Sequence, residues 1–133
     1  EMYDQGEGVA RDQAKALALY RMAAVAGHRG ALNALATFFY NGEMVERDHE
    51  LSLKLFTESA KRGDSEGMFN TAVMLLNGQG SKPDPVMAYV WVNLAARAGN
   101  SKGPAALAAV EKQLTPEQRT KALALLGPGF ARK

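Results

Sequence analysis

Apolar residues follow a helical period through most of this chain. In the stretch YDQGEGVARDQAKALALYRMAAVAG (3–27) they recur at i, i+3, i+4, i+7 and i+8, as Ala16, Leu19, Tyr20, Ala23 and Ala24. That spacing places them on one face of a helix, with polar residues on the opposite face. The pattern predicts an amphipathic helix at 12–26 and equivalent helices at 49–62 and 85–98.

The same skeleton occurs three times at a constant interval of 36 residues. The positions that carry it are two sets of glycines and one set of aspartates: Gly6, Gly42 and Gly78; Gly27, Gly63 and Gly99; Asp12, Asp48 and Asp84. A period of this length is typical of a solenoid whose units bury their apolar faces only against their neighbours. The predicted fold class is therefore all-α, with each unit an antiparallel pair of helices.

Each marked position has a local structural role. Gly6 and its copies suit the left-handed residue that ends a helix, because glycine has no Cβ to clash. Asp12 and its copies can accept hydrogen bonds from the free N–H groups that begin the second helix of a unit. In the third copy Pro85 follows Asp84, and an aspartate followed by proline is a strong helix start. First helices are accordingly expected at 31–40 and 67–76.

These signals divide the chain into four parts of one solenoid. We expect a partial first repeat at 1–29, a second repeat at 30–65, a third at 66–101, and capping helices with a tail at 102–133. Only the end of a first helix precedes Gly6. We therefore expect further repeats upstream, in a longer protein.

The closing helix is predicted from a different set of residues. Thr115 and Gln118 have the spacing of a capping box, and Pro116 suits the first turn. Its apolar side chains are expected to cover the end of the stack, while its charged residues face water. The covering residues are Ala122, Leu123 and Leu126, and the charged ones are Arg119 and Lys121.

Composition narrows the class of protein. The chain has 133 residues, of which 47% are hydrophobic and 23% are charged, which fits one domain with a continuous core. No apolar run reaches the length of a membrane span. There is no cysteine, so neither a disulfide framework nor thiol chemistry is expected, and both reducing and oxidising compartments stay open.

Catalytic, metal and cofactor sites are not predicted. The two histidines, His28 and His49, stand in a turn and in a first helical turn, where polar residues are common. No zinc-site or phosphate-loop spacing occurs, and capping explains the three spaced aspartates. A hydrolase remains the alternative in which one of the two histidines acts as a base.

The string YxxGxGVxxDxxKA from Tyr3 to Ala16, followed by Tyr20, Ala23, Ala24 and Gly27, resembles the Sel-one-like repeat, a relative of the tetratricopeptide repeat. The resemblance covers roughly residues 3–111. It implies an α/α superhelix, a right-handed solenoid in which first helices line the concave side. It also implies a scaffold or adaptor that binds a protein or peptide, in bacteria, with a periplasmic or secreted location favoured.

On this view the first helices carry the binding surface. Ala31, Leu35 and Phe39 set the core face of one helix, and the opposite face carries polar and apolar residues that could hold an extended segment or a partner helix. We call these residues the predicted groove: Asn33, Thr37, Tyr40, Phe69, Asn70, Val73, Leu76 and Asn77. In the alternative, Phe69, Val73 and Leu76 pack against the adjacent repeat. Phe38 and Met74 are expected in the core.

Charge and the incomplete first repeat add two weaker hypotheses. Lys and Arg outnumber Asp and Glu by 7 to 2 from Arg97 onward, which is either a solvated face or a surface for an anionic partner. Aromatic residues do not interleave with these charges, so no nucleic-acid partner is expected. The apolar stripe at 16–24 could instead pair with a second copy, which would make the chain a structural or self-association module.

Overall fold

The computed structural model of the chain describes residues 14, 15, 18, 19, 22, 29–42 and 46–127, and residues 29–127 contain six α-helices with defined bounds. The isolated positions 14, 15, 18, 19 and 22 are helical as well, and the described residues contain no strand. The helices are α1 Arg29–Asn41, α2 His49–Lys61, α3 Ser65–Asn77, α4 Pro85–Arg97, α5 Gly103–Glu111 and α6 Pro116–Leu126. The predicted all-α class is therefore confirmed.

The helices α2 and α4 begin directly after the aspartates that the sequence predicted as caps. Asp48 accepts a hydrogen bond from the backbone N–H of Leu51 at 3.0 Å, and Asp84 accepts one from Met87 at 3.1 Å. Each bond satisfies an N–H group that has no partner inside the helix, which typically contributes about 1 kcal/mol. The two predicted caps are confirmed, and Asp12 lies outside the described residues.

The first helices end at the predicted glycines. Gly42 and Gly78 both have φ of +73°, the left-handed conformation that reverses the chain after α1 and α3. The N–H of Gly78 then donates to the carbonyl of Met74, which satisfies one of the last carbonyls of α3. A side chain here would be strained, so the recurrence of glycine at this register has a backbone cause.

Neighbouring helices pack in chain order. The helix α1 packs on α2, α3 on α4, α2 on α3, and α4 on α5. The first core cluster joins one repeat to the next and consists of Leu32, Leu35, Ala36, Phe39, Leu55, Phe56 and Met74. The second cluster consists of Ala72, Ala88, Tyr89, Val90, Val92, Val110 and Ala122. Apolar surface is thus buried between consecutive units, as in a helical repeat solenoid.

The core face of α1 differs slightly from the predicted one. Leu35 and Phe39 are buried as expected, but Ala31 is exposed and Leu32 is fully buried. The buried residues follow i, i+3, i+4 and i+7 from Leu32, which leaves Ala31 at the edge of the stripe. Met74 is buried as predicted, and Phe38 is partly buried against the first cluster.

Glycines allow the helices of adjacent repeats to approach closely. A Cβ on Gly67 would lie 2.9 Å from the backbone nitrogen of Ala60, and one on Gly103 would lie 2.6 Å from the Cα of Ala96. The two contacts are 36 residues apart in sequence and are therefore the same contact in successive repeats. Small residues at 60 and 96 meet a glycine across each junction, so the helix backbones touch.

The closing helix α6 has the predicted start and covers the predicted surface. Thr115 and Gln118 form both bonds of a capping box, at 3.1 and 2.9 Å. Ala122 is fully buried, and Leu123 and Leu126 pack against the second cluster, whereas Arg119 is exposed. The structure adds that α6 packs mainly against α4.

Glu111 stands at the register position of Phe39 and Leu75 and has a different role. The hydroxyl of Tyr89 donates to Glu111 Oε2 at 3.1 Å, and Arg119 Nη2 lies 3.4 Å from the same oxygen. These three residues belong to α4, α5 and α6. The carboxylate therefore ties the three last helices together at the point where the repeat pattern ends.

This contact predicts a loss of stability at alkaline pH. Burial raises the pKa of the Tyr89 hydroxyl, and the hydrogen bond to Glu111 and the negative charge of Glu111 raise it further. Because the pKa is higher in the folded state, the neutral tyrosine contributes stability below its unfolded pKa of about 10, and this contribution is lost as the pH rises through the folded pKa. Urea unfolding from about pH 8 to about pH 11 should show a decline that is less steep in Tyr89→Phe. Equal declines would contradict the assignment.

Candidate protein-binding cleft

The helices α1 and α3 border a cleft whose floor is apolar. Phe56 and Met74, both almost fully buried, form its base. Thr37 and Tyr40 of α1 and Asn70 and Val73 of α3 stand at its sides, where Thr37 is exposed and the other three are half-buried. We call these six residues the α1–α3 cleft, and its volume is about 260 Å³. None of the six carries a formal charge.

Half of the predicted groove lies in this cleft. Thr37, Tyr40, Asn70 and Val73 line it together, although they come from two repeats and are separated by up to 36 residues of sequence. Whether these side chains contact a partner stays a prediction.

The other four predicted residues lie elsewhere. Asn33 precedes Thr37 by one turn, and its backbone carbonyl accepts a hydrogen bond from the Thr37 hydroxyl at 3.0 Å. Leu76 packs against the second core cluster. Asn77 is exposed at the last position of α3, and Phe69 is half-buried beneath a lysine.

Two residues that line the cleft, Phe56 and Met74, were not in the predicted groove because they belong to the core pattern. Met74 was assigned to the core and is buried, yet it also contacts the cleft. Phe56 comes from α2, the second helix of its repeat, whereas the predicted groove was drawn from first helices only. A buried residue at the base of a cleft has the same periodicity as any core residue.

Tyr40 is held in place at one side of the cleft. The side-chain amide of Gln79 donates to the Tyr40 hydroxyl at 2.7 Å, and the ring of His49 lies 4.9 Å from the tyrosine ring, centroid to centroid. These neighbours come from the loop after α3 and from the start of α2. The hydrogen bond and the ring contact restrict the position of the tyrosine side chain.

A lysine lies over the adjacent turn of α3. The ammonium group of Lys102 is 4.7 Å from the centroid of the Phe69 ring and 3.5 Å from Glu66 Oε1. Asn100 donates to the other oxygen of the Glu66 carboxylate at 3.3 Å. Phe69 and the cleft residue Val73 are one turn apart on the same face of α3, so the lysine and Glu66 lie about one helical turn from the cleft.

Histidine and acidic side chains are the candidates for catalysis and metal binding in the described part of the chain. No group of three or more His, Cys, Asp or Glu residues is placed to hold a metal ion there. His49 stacks on Tyr40, and His28 lies outside the described residues. None of the described helices is long and apolar enough to cross a membrane.

The stripe proposed for self-association is only partly described. Leu19 exposes 52% of its surface and Met22, which the stripe did not include, exposes 65%. Ala16, Tyr20, Ala23 and Ala24 lie outside the described residues. Pairing with a second copy therefore stays a prediction.

Fold and cleft together define an α-solenoid of helix-pair repeats with an uncharged cleft between successive first helices. The Sel1 repeat family matches the chain at residues 1–28, 30–64 and 65–100, and the chain belongs to this family. The resemblance drawn from the sequence motif is thus confirmed. Sel1 repeats commonly form protein-interaction scaffolds, a non-catalytic class of repeat protein.

A solved structure supports the same fold. The chain is similar to c5321, a protective antigen present in uropathogenic Escherichia coli strains that displays the fold of Sel1-like repeats, with a TM-score of 0.75 and 25% sequence identity. The match covers 86% of this chain and 24% of c5321, so the chain spans about a quarter of that protein's length. No curated protein matches.

Proposed function

We propose that this chain is a protein-interaction scaffold that holds an extended segment of a partner protein in the α1–α3 cleft. The observation that carries the proposal is the meeting of residues from two repeats around an apolar floor with an uncharged polar rim. Interfaces commonly combine an apolar centre with a polar rim in this way. Enzymatic activity is not part of the proposed function.

The size of the cleft favours a peptide anchor over a whole ligand. Pockets for small molecules usually have volumes of about 300–1,000 Å³, and this cleft of about 260 Å³ falls below that range. It suits one large apolar side chain of a segment whose remaining length lies outside. A buried anchor side chain in a pocket is the usual centre of a protein interface.

The polar rim suits a peptide backbone. The Asn70 amide has both donors and acceptors. The Tyr40 hydroxyl can donate while it accepts from Gln79, and the Thr37 hydroxyl, which donates to Asn33, can still accept. An extended segment presents unpaired N–H and C=O groups along its length, so such neutral groups can pair with it without a charged partner. The neighbours of Tyr40 hold that side chain in a defined position.

The test is affinity capture with a variant that places charge in the cleft. Thr37→Glu with Val73→Glu should weaken capture of the partner from source-cell extract at least tenfold, because two carboxylates must be desolvated when the anchor enters. The matched control is Ala124→Glu with Leu125→Glu, which adds the same charge to exposed positions of α6. Circular dichroism and thermal unfolding must show that both variants stay folded.

The two variants give opposite expectations. The control should capture the same partner as the unmodified chain, and the cleft variant should lose it. If the cleft variant retains the partner with unchanged affinity, the α1–α3 cleft is not the binding site.

A further inference from the structure

The charge beside the α1–α3 cleft indicates what kind of segment the cleft accepts. On the described part of α3 the only acidic residue is Glu66, which shares its carboxylate between Lys102 and Asn100. The acidic residue of α5, Glu111, is engaged by Tyr89 and Arg119. Lys102 and Lys112, which flank the two ends of α5, are both exposed. Lys102 therefore brings an exposed ammonium group to Phe69, which lies one helical turn from the cleft residue Val73.

Lys102 can exchange Glu66 for another carboxylate at a small cost in free energy. Its pair with Glu66 has an N–O distance of 3.5 Å, and the two side chains are 54% and 48% exposed. An exposed pair of this kind contributes at most about 1 kcal/mol. A carboxylate from outside can therefore bind the ammonium group beside Glu66 or in its place.

Phe69 keeps the lysine close to the cleft. The ammonium group lies over the face of the ring at 4.7 Å, a distance at which the ring attracts a cation. Phe69 and Val73 are four residues apart on α3, which corresponds to about 6 Å along the helix. An anchored segment therefore reaches this cation within a short distance.

We infer that the occupant of the α1–α3 cleft is an extended acidic peptide segment, with a large apolar anchor side chain and an Asp or Glu two positions away. The inference rests on the proposed function and specifies the partner's chemistry. Residues of an extended chain advance about 3.3 Å each, so two residues span the helix rise of about 6 Å that separates Phe69 from Val73 on α3. Side chains at i and i+2 also point to the same side of an extended chain, here toward the cleft and Lys102.

The inference is tested by selecting binders from a random dodecapeptide library displayed on phage, against the complete chain. The enriched peptides should share a large apolar residue with Asp or Glu two positions away. Selection against Lys102→Glu should keep the apolar residue and replace the acid with Lys or Arg. Selection against Lys102→Gln, which adds no repulsion toward Glu66, should keep the apolar residue and lose the acidic preference.

Titration with one enriched, fluorescein-labelled peptide measures how much each substitution changes the binding affinity. Lys102→Gln should weaken binding about fivefold, the upper range for an exposed ion pair. Glu66→Gln removes the competing carboxylate and should tighten binding of the same peptide. Lys121→Gln, on the exposed face of α6, is the control and should leave the affinity unchanged.

The failure of this inference differs from the failure of the proposed function. Cleft-dependent peptides with no acidic preference, or a preference that Lys102→Glu and Lys102→Gln leave unchanged, would overturn the acidic partner and leave the cleft as the site. If no peptide depends on Thr37 and Val73, the proposed function fails, and the acidic partner fails with it.

Discussion

Replacing Phe39 by alanine is expected to lower the free energy of unfolding by about 3–5 kcal/mol. Phe39 is completely buried in the first core cluster, where residues of α1, α2 and α3 meet. Its removal loses the transfer free energy of the ring and leaves a cavity that the rigid helix junction fills only in part. Urea unfolding monitored by circular dichroism measures the change.

The neighbouring phenylalanine provides the control for this prediction. Phe38 is only partly buried against the same cluster, so Phe38→Ala removes the same atoms from a less enclosed site. We expect it to cost less than half as much as Phe39→Ala. Equal losses at the two positions would show that the burial described for α1 is wrong.

The second large effect is expected at the glycines of the repeat junctions. Gly67→Ala and Gly103→Ala should each lower stability by about 1–3 kcal/mol, as overpacking of a closely packed site does. A Cβ at these positions would come within 2.9 Å of the Ala60 nitrogen and 2.6 Å of the Ala96 Cα. Backbone atoms cannot move aside as a flexible side chain can, so the helices must separate.

The expected loss of stability is opposite in sign to the usual effect of replacing glycine by alanine in a helix. In a helix without such contacts, alanine is more favourable than glycine by up to about 1 kcal/mol. Ala108→Gly, at an exposed position of α5, is the control and should show that ordinary preference as a loss of about 0.5–1 kcal/mol. Thermal and urea unfolding of the three variants check the prediction. A stabilising Gly67→Ala or Gly103→Ala would contradict the close approach.

Helix starts and helix ends could be predicted from the sequence because they depend on residues that are close together in the chain. An aspartate caps the N–H groups that follow it, and Gly78 ends α3 because its own backbone is left-handed. Because the motif recurs every 36 residues, each assignment in one repeat also applied to the equivalent residue of the next repeat. Ala31 was wrongly predicted to be buried because the helical period allows the edge of the apolar stripe to lie one residue earlier or later. The packing of the neighbouring helix determines which of these residues is buried.

The candidate site was only partly predictable. Rotation about the helix axis grouped Thr37 with Tyr40, and Val73 with its flanking residue Asn70, and these four side chains line one cleft because residues on one helix face follow the helical period. It also grouped Leu76 with them, although Leu76 packs against the second core cluster. A helical period defines a face, but it does not determine how far the neighbouring helix covers that face.

The sequence by itself determined that this protein is an all-α repeat solenoid, which residues cap its second helices and end its first helices, and that it belongs with Sel1-like repeats. These properties depend on backbone conformation, capping and periodicity, which act within a few residues. Only the tertiary structure decided that Phe56 and Met74 form the floor of a cleft, that Lys102 lies over Phe69, and that Glu111 joins the last three helices. Those contacts depend on the distance and angle between helices, which result from packing along the whole array.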